Sequence, residues 1–312
     1  MFSGMHYVYE VYKEKSFSLA AANLHISQPS LSANVKRIEE RVGYPIFDRS
    51  TKPLGLTECG REYIRTAELI MAAENEFASF INDLGQLKTG TLTLGGSNFF
   101  SSWVLPRIIA AFSDTYPDLE ISLTEAKSSE LIDMLQNTQI DFIVDNKEVD
   151  PEVFEKLCIG REELLLSVPA DFEINAKLKE YQVPHECIVK RSYEEIPTVP
   201  LEYFKDYPFL FLHPENDTGI RARRICREND FHPDVVLFLD QQLTAYNIAS
   251  TGVGATFVGD LLLSRVPENP NLVHYRLDSD EKMRNIYLCW KQKRYLSHAM
   301  NTFIETMKNT EL

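Results

Sequence analysis

Residues 16–57 read SFSLAAANLHISQPSLSANVKRIEERVGYPIFDRSTKPLGLT, and the rest of the chain is understood from this stretch. Ser18 is placed to cap a helix beginning Leu19-Ala20-Ala21-Ala22, whose three small residues let another backbone come close. His25-Ile26-Ser27 forms the turn. Ser27 can accept from the free amides of the next helix, and Pro29 suits a first turn where no amide is needed. Leu31, Val35, Ile38 and Val42 then recur at i, i+4, i+7 and i+11, a single apolar stripe. The opposite face carries Gln28, Ser30, Ser32, Ala33, Lys36 and Arg37: slim and polar at its start, basic further along. Such a face suits a DNA major groove, although two amphipathic helices joined by a turn are common in proteins that never meet DNA.

The continuation separates the two readings. Tyr44-Pro45-Ile46-Phe47 reads as a short strand, Asp48–Pro53 as an exposed tip and Leu54-Gly55-Leu56 as the returning strand. A basic tip beside a helix-turn-helix is a wing, from which Arg49 and Lys52 would reach phosphate or a narrow minor groove.

In these residues the chain resembles the LysR-type transcriptional regulators. The likeness rests on Ser16-Phe17, Ala20-Ala21, Leu24, Ser27–Ser32, Ile38-Glu39, Gly43, Phe47-Asp48-Arg49 and Leu56–Gly60, in type and in spacing. Asn34 stands where glutamine is frequent, Gly55 where a second basic wing residue is frequent, and Cys59 where alanine is usual; the change at Gly55 weakens the wing. The resemblance implies an N-terminal winged helix-turn-helix (residues 1–58), a linker helix used for dimerisation (59–89) and a two-lobed α/β effector-binding domain similar to periplasmic binding proteins (90–312). It also implies double-stranded promoter DNA, a second copy of the chain in a dimer or tetramer, and a small-molecule effector as partners, with RNA polymerase as a further candidate.

Composition agrees with a soluble, ordinary globular protein: 312 residues, 44% hydrophobic and 25% charged. The net charge of -14 looks wrong for a DNA binder until it is divided. Residues 1–60 hold seven Lys/Arg against six Asp/Glu, so the acidity lies beyond them and confines phosphate contact to the N-terminal module. No apolar run reaches membrane-span length, and MFSGMHYVYEVYKEK is an amphipathic helix rather than a signal peptide, which places the protein in the cytoplasm. Five scattered cysteines without a CxxC pair read as reduced thiols.

Residues 5–15 form an opening helix with Met5, Val8, Val11 and Tyr12 inward. From Glu58 to about Lys88 one long helix is expected, roughly 30 residues or about 45 Å. Tyr63, Ala67, Ile70, Glu74, Phe77, Ile81 and Leu84 mark a heptad seam along it, which packs on its own domain or pairs with a second subunit. Leu87–Gly90 is the expected boundary. Beyond it, strands and helices alternate: Thr91–Gly96, Trp103–Tyr116, Leu119–Thr124, Ser129–Gln136, Phe142–Val144, then Leu164–Val168, Phe209–Leu212, Ile220–Glu228, Val235–Leu239, Gln242–Ser250, Ala255–Val258 and Asp260–Arg265. Strands Leu272–Arg276 and Ile286–Trp290 and a helix Ser297–Met307 close the chain. This alternation argues parallel sheets covered on both faces. Crossovers between lobes are expected near 160–166 and 264–268, so that lobe I takes about 90–163 and 267–312 and lobe II about 164–266. Residues 182–200, with three prolines, read as a loop insertion.

Ligands settle at the C-terminal ends of parallel strands, where helix N-termini present free amides. Ser97, Asn98 and Phe99, Ser128 and Ser129, and Thr218 and Gly219 occupy such places, with Asp145 and Gln241 as weaker candidates. Each taken singly is an ordinary helix cap; their convergence in one cleft, on a small anion, is implied by the resemblance. Phe99 and Phe100 suit the core as well as the cleft wall. No cofactor and no metal is expected, since His185 and Cys187 alone do not make a zinc site. An enzyme is the competing class, but GxSxG, P-loop and HExxH motifs are missing and Gly252-Val253-Gly254 lacks the rest of a dinucleotide fingerprint. A plain solute-binding protein is opposed by the first sixty residues.

Overall fold

A computed structural model describes residues 2–84 and 90–309. The chain divides into two compact units, 1–86 with 137–139 and 87–136 with 140–312. Part of the expected boundary, 87–89, lies outside the described residues.

In the first unit α1 (Met5–Glu14), α2 (Phe17–Asn23) and α3 (Gln28–Val42) pack around Val8, Val11, Ala20, Leu31, Val35 and Ile38. The cap of α2 is Ser16, not Ser18: Ser16 Oγ accepts from the Leu19 amide, because the helix starts at Phe17, two residues earlier than the alanine run suggests. Gly43 ends α3 at φ 86°, a left-handed value that glycine adopts without strain, and its amide reaches the Glu39 carbonyl. The wing strands β1 (Phe47–Asp48) and β2 (Gly55–Leu56) pair antiparallel. They are shorter than expected for a physical reason. Pro45 has no amide, and the amides of Ile46 and Phe47 are taken by Glu39 Oε1 at 2.8 and 3.3 Å instead of by a strand.

Helix α4 (Glu58–Leu84) follows, its first turn capped by Thr57 Oγ1, which accepts from Gly60. A Cβ at residue 60 would lie 2.0 Å from the Ile46 carbonyl oxygen, so only glycine lets α4 dock against the wing strand. The heptad seam divides in two. Tyr63 and Ala67 are buried in this unit's own core, whereas Phe77 and Leu84 are 63% and 65% exposed.

The second unit is built on one continuous sheet. Its lobe I strands are β3 (Gly90–Gly96), β4 (Leu119–Glu125) and β5 (Phe142–Asp145), with β3 parallel to both others. A π-helical turn, Phe100–Val104, leads into α5 (Leu105–Thr115), and α6 (Ser128–Gln136) precedes β5. Strand β6 (Phe154–Pro169) is far longer than the five residues expected and carries the chain into lobe II. There α7 (His185–Val189), β7 (Pro208–Leu212), α8 (Asp217–Glu228), β8 (Asp234–Leu239), α9 (Gln242–Ala249), β9 (Ala255–Gly259), α10 (Asp260–Arg265) and β10 (Leu272–Tyr275) follow. Strand β11 (Met283–Lys291) and α11 (His298–Lys308) complete lobe I. The strand order is β4-β3-β5-β11-β6-β9-β7-β8, with β10 on β6.

Two expectations are corrected here. The returning crossover is not at 264–268, which lies between α10 and β10 inside lobe II. Strand β10 still pairs with Leu166–Pro169, and the chain re-enters lobe I only where Met283 comes opposite Glu163. The two crossing strands pair with each other through the hinge, so residues 267–275 belong with lobe II. Nor is 182–200 a loose insertion. Val183 and Val199 donate backbone bonds to His274 and Arg276, and Ile188 and Tyr193 are buried, so the segment covers the β10 edge.

Candidate DNA-reading face and interlobe cleft

With Leu31, Val35 and Ile38 turned inward, Gln28, Ser30, Ala33, Lys36 and Arg37 stand exposed along the outer face of α3, and Ser32 is half-buried. The Ser27 hydroxyl accepts from the Ser30 amide at 3.3 Å, which leaves its own proton for a phosphate. Ser18 Oγ donates to Gln28 Oε1 over 3.2 Å, fixing the side of the amide that faces outward. Lys36 lies 3.9 Å from Glu40, an exposed pair of little worth. In the wing, Arg49 sits over the Phe17 ring at 5.4 Å and 3.4 Å from Glu39 Oε2. The same Glu39 carboxylate therefore positions the β1 backbone and the wing arginine. Lys52 is exposed at the tip. Gly55 leaves room for Thr51, whose Oγ1 accepts from the Gly55 amide and would meet a Cβ there at 2.7 Å.

In the second unit the residues proposed at strand ends are mostly engaged. Ser128 Oγ donates to Asp145 Oδ2 over 2.6 Å. Burial, with Asp217 repelling it, pushes the Asp145 carboxyl above the usual carboxylate range, against the pull of Ser128 and the Lys147 amide. Asn98 donates to Glu125, Ser129 is exposed and Gln241 half-buried. Phe99 is buried beside Phe100 in the lobe I core, so of the two roles open to its ring the core is the one it takes. Gly219 carries no side chain because a Cβ would come within 2.5 Å of the His213 carbonyl. Lys127 of lobe I and Asp240 of lobe II form a 2.8 Å ion pair between the lobes.

Of the groups that the structure brings together most tightly, Thr218 was a sequence candidate; Arg284, Glu162, Asn146 and Gln242 were not. Arg284 Nε donates to Glu162 Oε1 at 2.8 Å, and Arg284 Nη1 reaches Asp217 at 3.0 Å and Thr218 Oγ1 at 2.8 Å. Thr218 Oγ1 also accepts from Gln242, and Asn146 donates to Glu162. Burial alone would pull the Arg284 guanidinium down; the Glu162 and Asp217 carboxylates beside it outweigh that and hold it above its ordinary value. This network joins lobe I, both crossing strands and the start of α8. Next to it a cavity of about 350 Å³ opens, lined by Asn146 and Glu148 of lobe I, Arg221 of lobe II, and Arg161, Asn285 and Tyr287 of the crossing strands, with Met283 and Arg284 completing its wall. None of Ser97, Asn98, Phe99, Ser128, Ser129, Thr218, Gly219 or Gln241 lines it. The sequence signal was weak: Arg161-Glu162-Glu163 stands directly before the run Leu164–Val168, and Arg284 shortly before Ile286–Trp290.

Among the described residues no cluster of His, Cys, Asp and Glu could hold a metal ion, and no helix is long and apolar enough to cross a membrane.

A winged helix-turn-helix ahead of a two-lobed α/β body defines a class of proteins that couple DNA reading to a ligand-binding domain. The chain belongs to the LysR family: the description of bacterial regulatory helix-turn-helix proteins of the lysR family matches residues 2–61, and that of the LysR substrate binding domain matches residues 85–311. It is thus a DNA-binding transcriptional regulator, in a family of regulators rather than enzymes. An uncharacterized HTH-type transcriptional regulator, YcgK of Bacillus subtilis, is 26% identical over 98% of this chain and 93% of its own. A probable RuBisCO transcriptional regulator of Cyanidioschyzon merolae is 26% identical over 95% and 93%. Among solved structures, full-length CbnR complexed with its target DNA superposes with a TM-score of 0.67 at 16% identity, covering 99% of each chain. The effector binding domain of QuiR in complex with shikimate reaches 0.57 at 16% identity, over 72% of this chain and 100% of its own. At these identities the structural likeness speaks for the fold alone.

Proposed function

We propose that this regulator works in the cytoplasm as a homodimer or higher oligomer, reading promoter DNA with α3 and the wing and responding to a small molecule held by its two-lobed domain. The observation that carries the reading is the outer face of α3, where Gln28, Ser30, Ala33, Lys36 and Arg37 are exposed on a helix whose other face is locked in a core. Gln28, Ser30, Ser32, Ala33 and Lys36 take base edges; Ser27, Arg37, Arg49 and Lys52 take phosphate or the minor groove. Residues 1–58 form the DNA-binding part, 59–89 the linker and 90–312 the effector domain. The apolar C-terminal half of α4 pairs with a second copy and sets the spacing of two recognition helices. An effector acts by binding two arrangements of the lobes with different affinity, and RNA polymerase is the partner through which the bound regulator acts. The test is recovery of fragmented genomic DNA by the purified protein, repeated with Gln28→Ala. Interrupted palindromes lost in the variant support the reading; sequence-random, salt-sensitive recovery by the parent would end it.

A further inference from the structure

Hydrogen-bond accounting around the interlobe cavity separates committed groups from open ones. Arg284 is spent on Glu162, Asp217 and Thr218, and Arg221 on Asp217, Glu281 and the Met283 carbonyl. Glu148 is engaged by Lys156 and by the Tyr287 hydroxyl, which in turn accepts from Asn285 Nδ2. Arg161 differs from all of these. It lies opposite Asn285 on paired strands, is exposed and lines the cavity, and among the described residues its side chain makes no hydrogen bond or ion pair. Asn146 and Asn285 use their Nδ2 groups on Glu162 and Tyr287, which leaves both Oδ1 atoms as open acceptors.

We propose that this cavity, apart from the strand-end residues proposed from sequence, binds a small hydrophilic oxyanion that also carries hydroxyl or amino hydrogens. The inference rests on the effector reading of this domain. A guanidinium presents paired donors that match a carboxylate or a phosphate, while the two amide oxygens accept from hydroxyl or ammonium groups on the same ligand. The volume, near the small end of ligand sites, suits a compact metabolite. An apolar acid finds little to bury against, since Met283 and one tyrosine ring, already covered by Lys156, are the apolar surface offered. Because the wall comes from lobe I, lobe II and both crossing strands, an occupant bridges every part that would move in a change of lobe orientation.

The experiment is calorimetric titration of the full-length protein at matched ionic strength with malate, inorganic phosphate and benzoate, in the parent, Arg161→Gln, Arg161→Lys and Ser128→Ala. Saturable malate or phosphate binding that weakens at least tenfold in R161Q, recovers in part in R161K and persists in S128A supports the site; which of the two binds more tightly distinguishes a carboxylate from a phosphate ligand. Binding unchanged in R161Q, benzoate binding as tight as malate, or no saturable binding of malate and phosphate each overturns it. Ligand-free melting of R161Q checks that the variant folds. DNA affinity with and without malate separates the two readings: an anion that needs Arg161 yet leaves DNA affinity unchanged keeps the site and removes effector control.

Discussion

Glu162 and Arg284 meet at 2.8 Å between two strands that cross together from one lobe to the other, with the Glu162 side chain only 1% exposed. Among the described residues Glu162 Oε2 has no hydrogen-bond partner, and a Cβ at residue 259 would lie 2.0 Å from it, so Gly259 is what leaves space for the carboxylate. A buried pair of this kind is stabilising only while both members are present.

Arg284→Met should therefore destabilise the effector domain by about 3–5 kcal/mol, leaving the buried Glu162 carboxylate without its cation and Asp217 with Arg221 alone. Glu162→Gln keeps a side-chain acceptor and should cost less. Urea unfolding followed by tryptophan fluorescence reads both, since Trp103 and Trp290 lie in or against the lobe I core. Equal stability of R284M and parent would remove the network from any account of the hinge.

The pH dependence should have two opposing parts. His274 is buried against Ser167 at 2.9 Å, and burial, aided by His185, lowers its pKa to about 3. The folded state then binds fewer protons than the unfolded one between about pH 6.5 and 3, so stability falls as pH falls through that window, by on the order of 5 kcal/mol. Asp145 runs the other way. Its raised pKa makes the folded state hold the proton longer, so its contribution worsens as pH rises above the ordinary aspartate value. His274→Gln should flatten the acid limb, and Asp145→Asn should flatten the loss above it; melting curves from pH 3 to 8 test each.

On DNA, Arg49→Ala should weaken specific and random duplex alike and lower the salt slope by about one. Gln28→Ala should relax sequence preference with little change in slope. Glu39→Ala should lose more than either, because one carboxylate holds the Ile46 and Phe47 amides and the Arg49 side chain. If all three variants bind duplex like the parent in anisotropy titrations, the assigned face is wrong.

Phe77→Glu combined with Leu84→Glu should dissociate the oligomer without unfolding either unit, as both side chains are exposed in the single chain. Sedimentation velocity and circular dichroism together check this. An unchanged sedimentation coefficient would mean that the exposed row is not the contact.

What could be read from the chain alone was local. The stripe Leu31-Val35-Ile38 and the Ser27 cap act within a few turns, so residue type and spacing carry them. The α/β alternation was legible for the same reason. The α2 cap lies two residues before the one the alanine run suggests, and the wing strands are shorter than their residues suggest, because Ser16 takes the Leu19 amide and Glu39 takes the Ile46 and Phe47 amides, each from just outside the apparent element. The returning crossover, the packed 182–200 segment and the cavity were decided only by tertiary structure. Glu162 and Arg284 are 122 residues apart, and Asn146, Arg161, Arg221 and Asn285 come from four separate segments. Periodicity says which face of a strand is buried, but not which distant strand lies beside it; that choice belongs to the pairing of β6 with β11, and with it the site came into being.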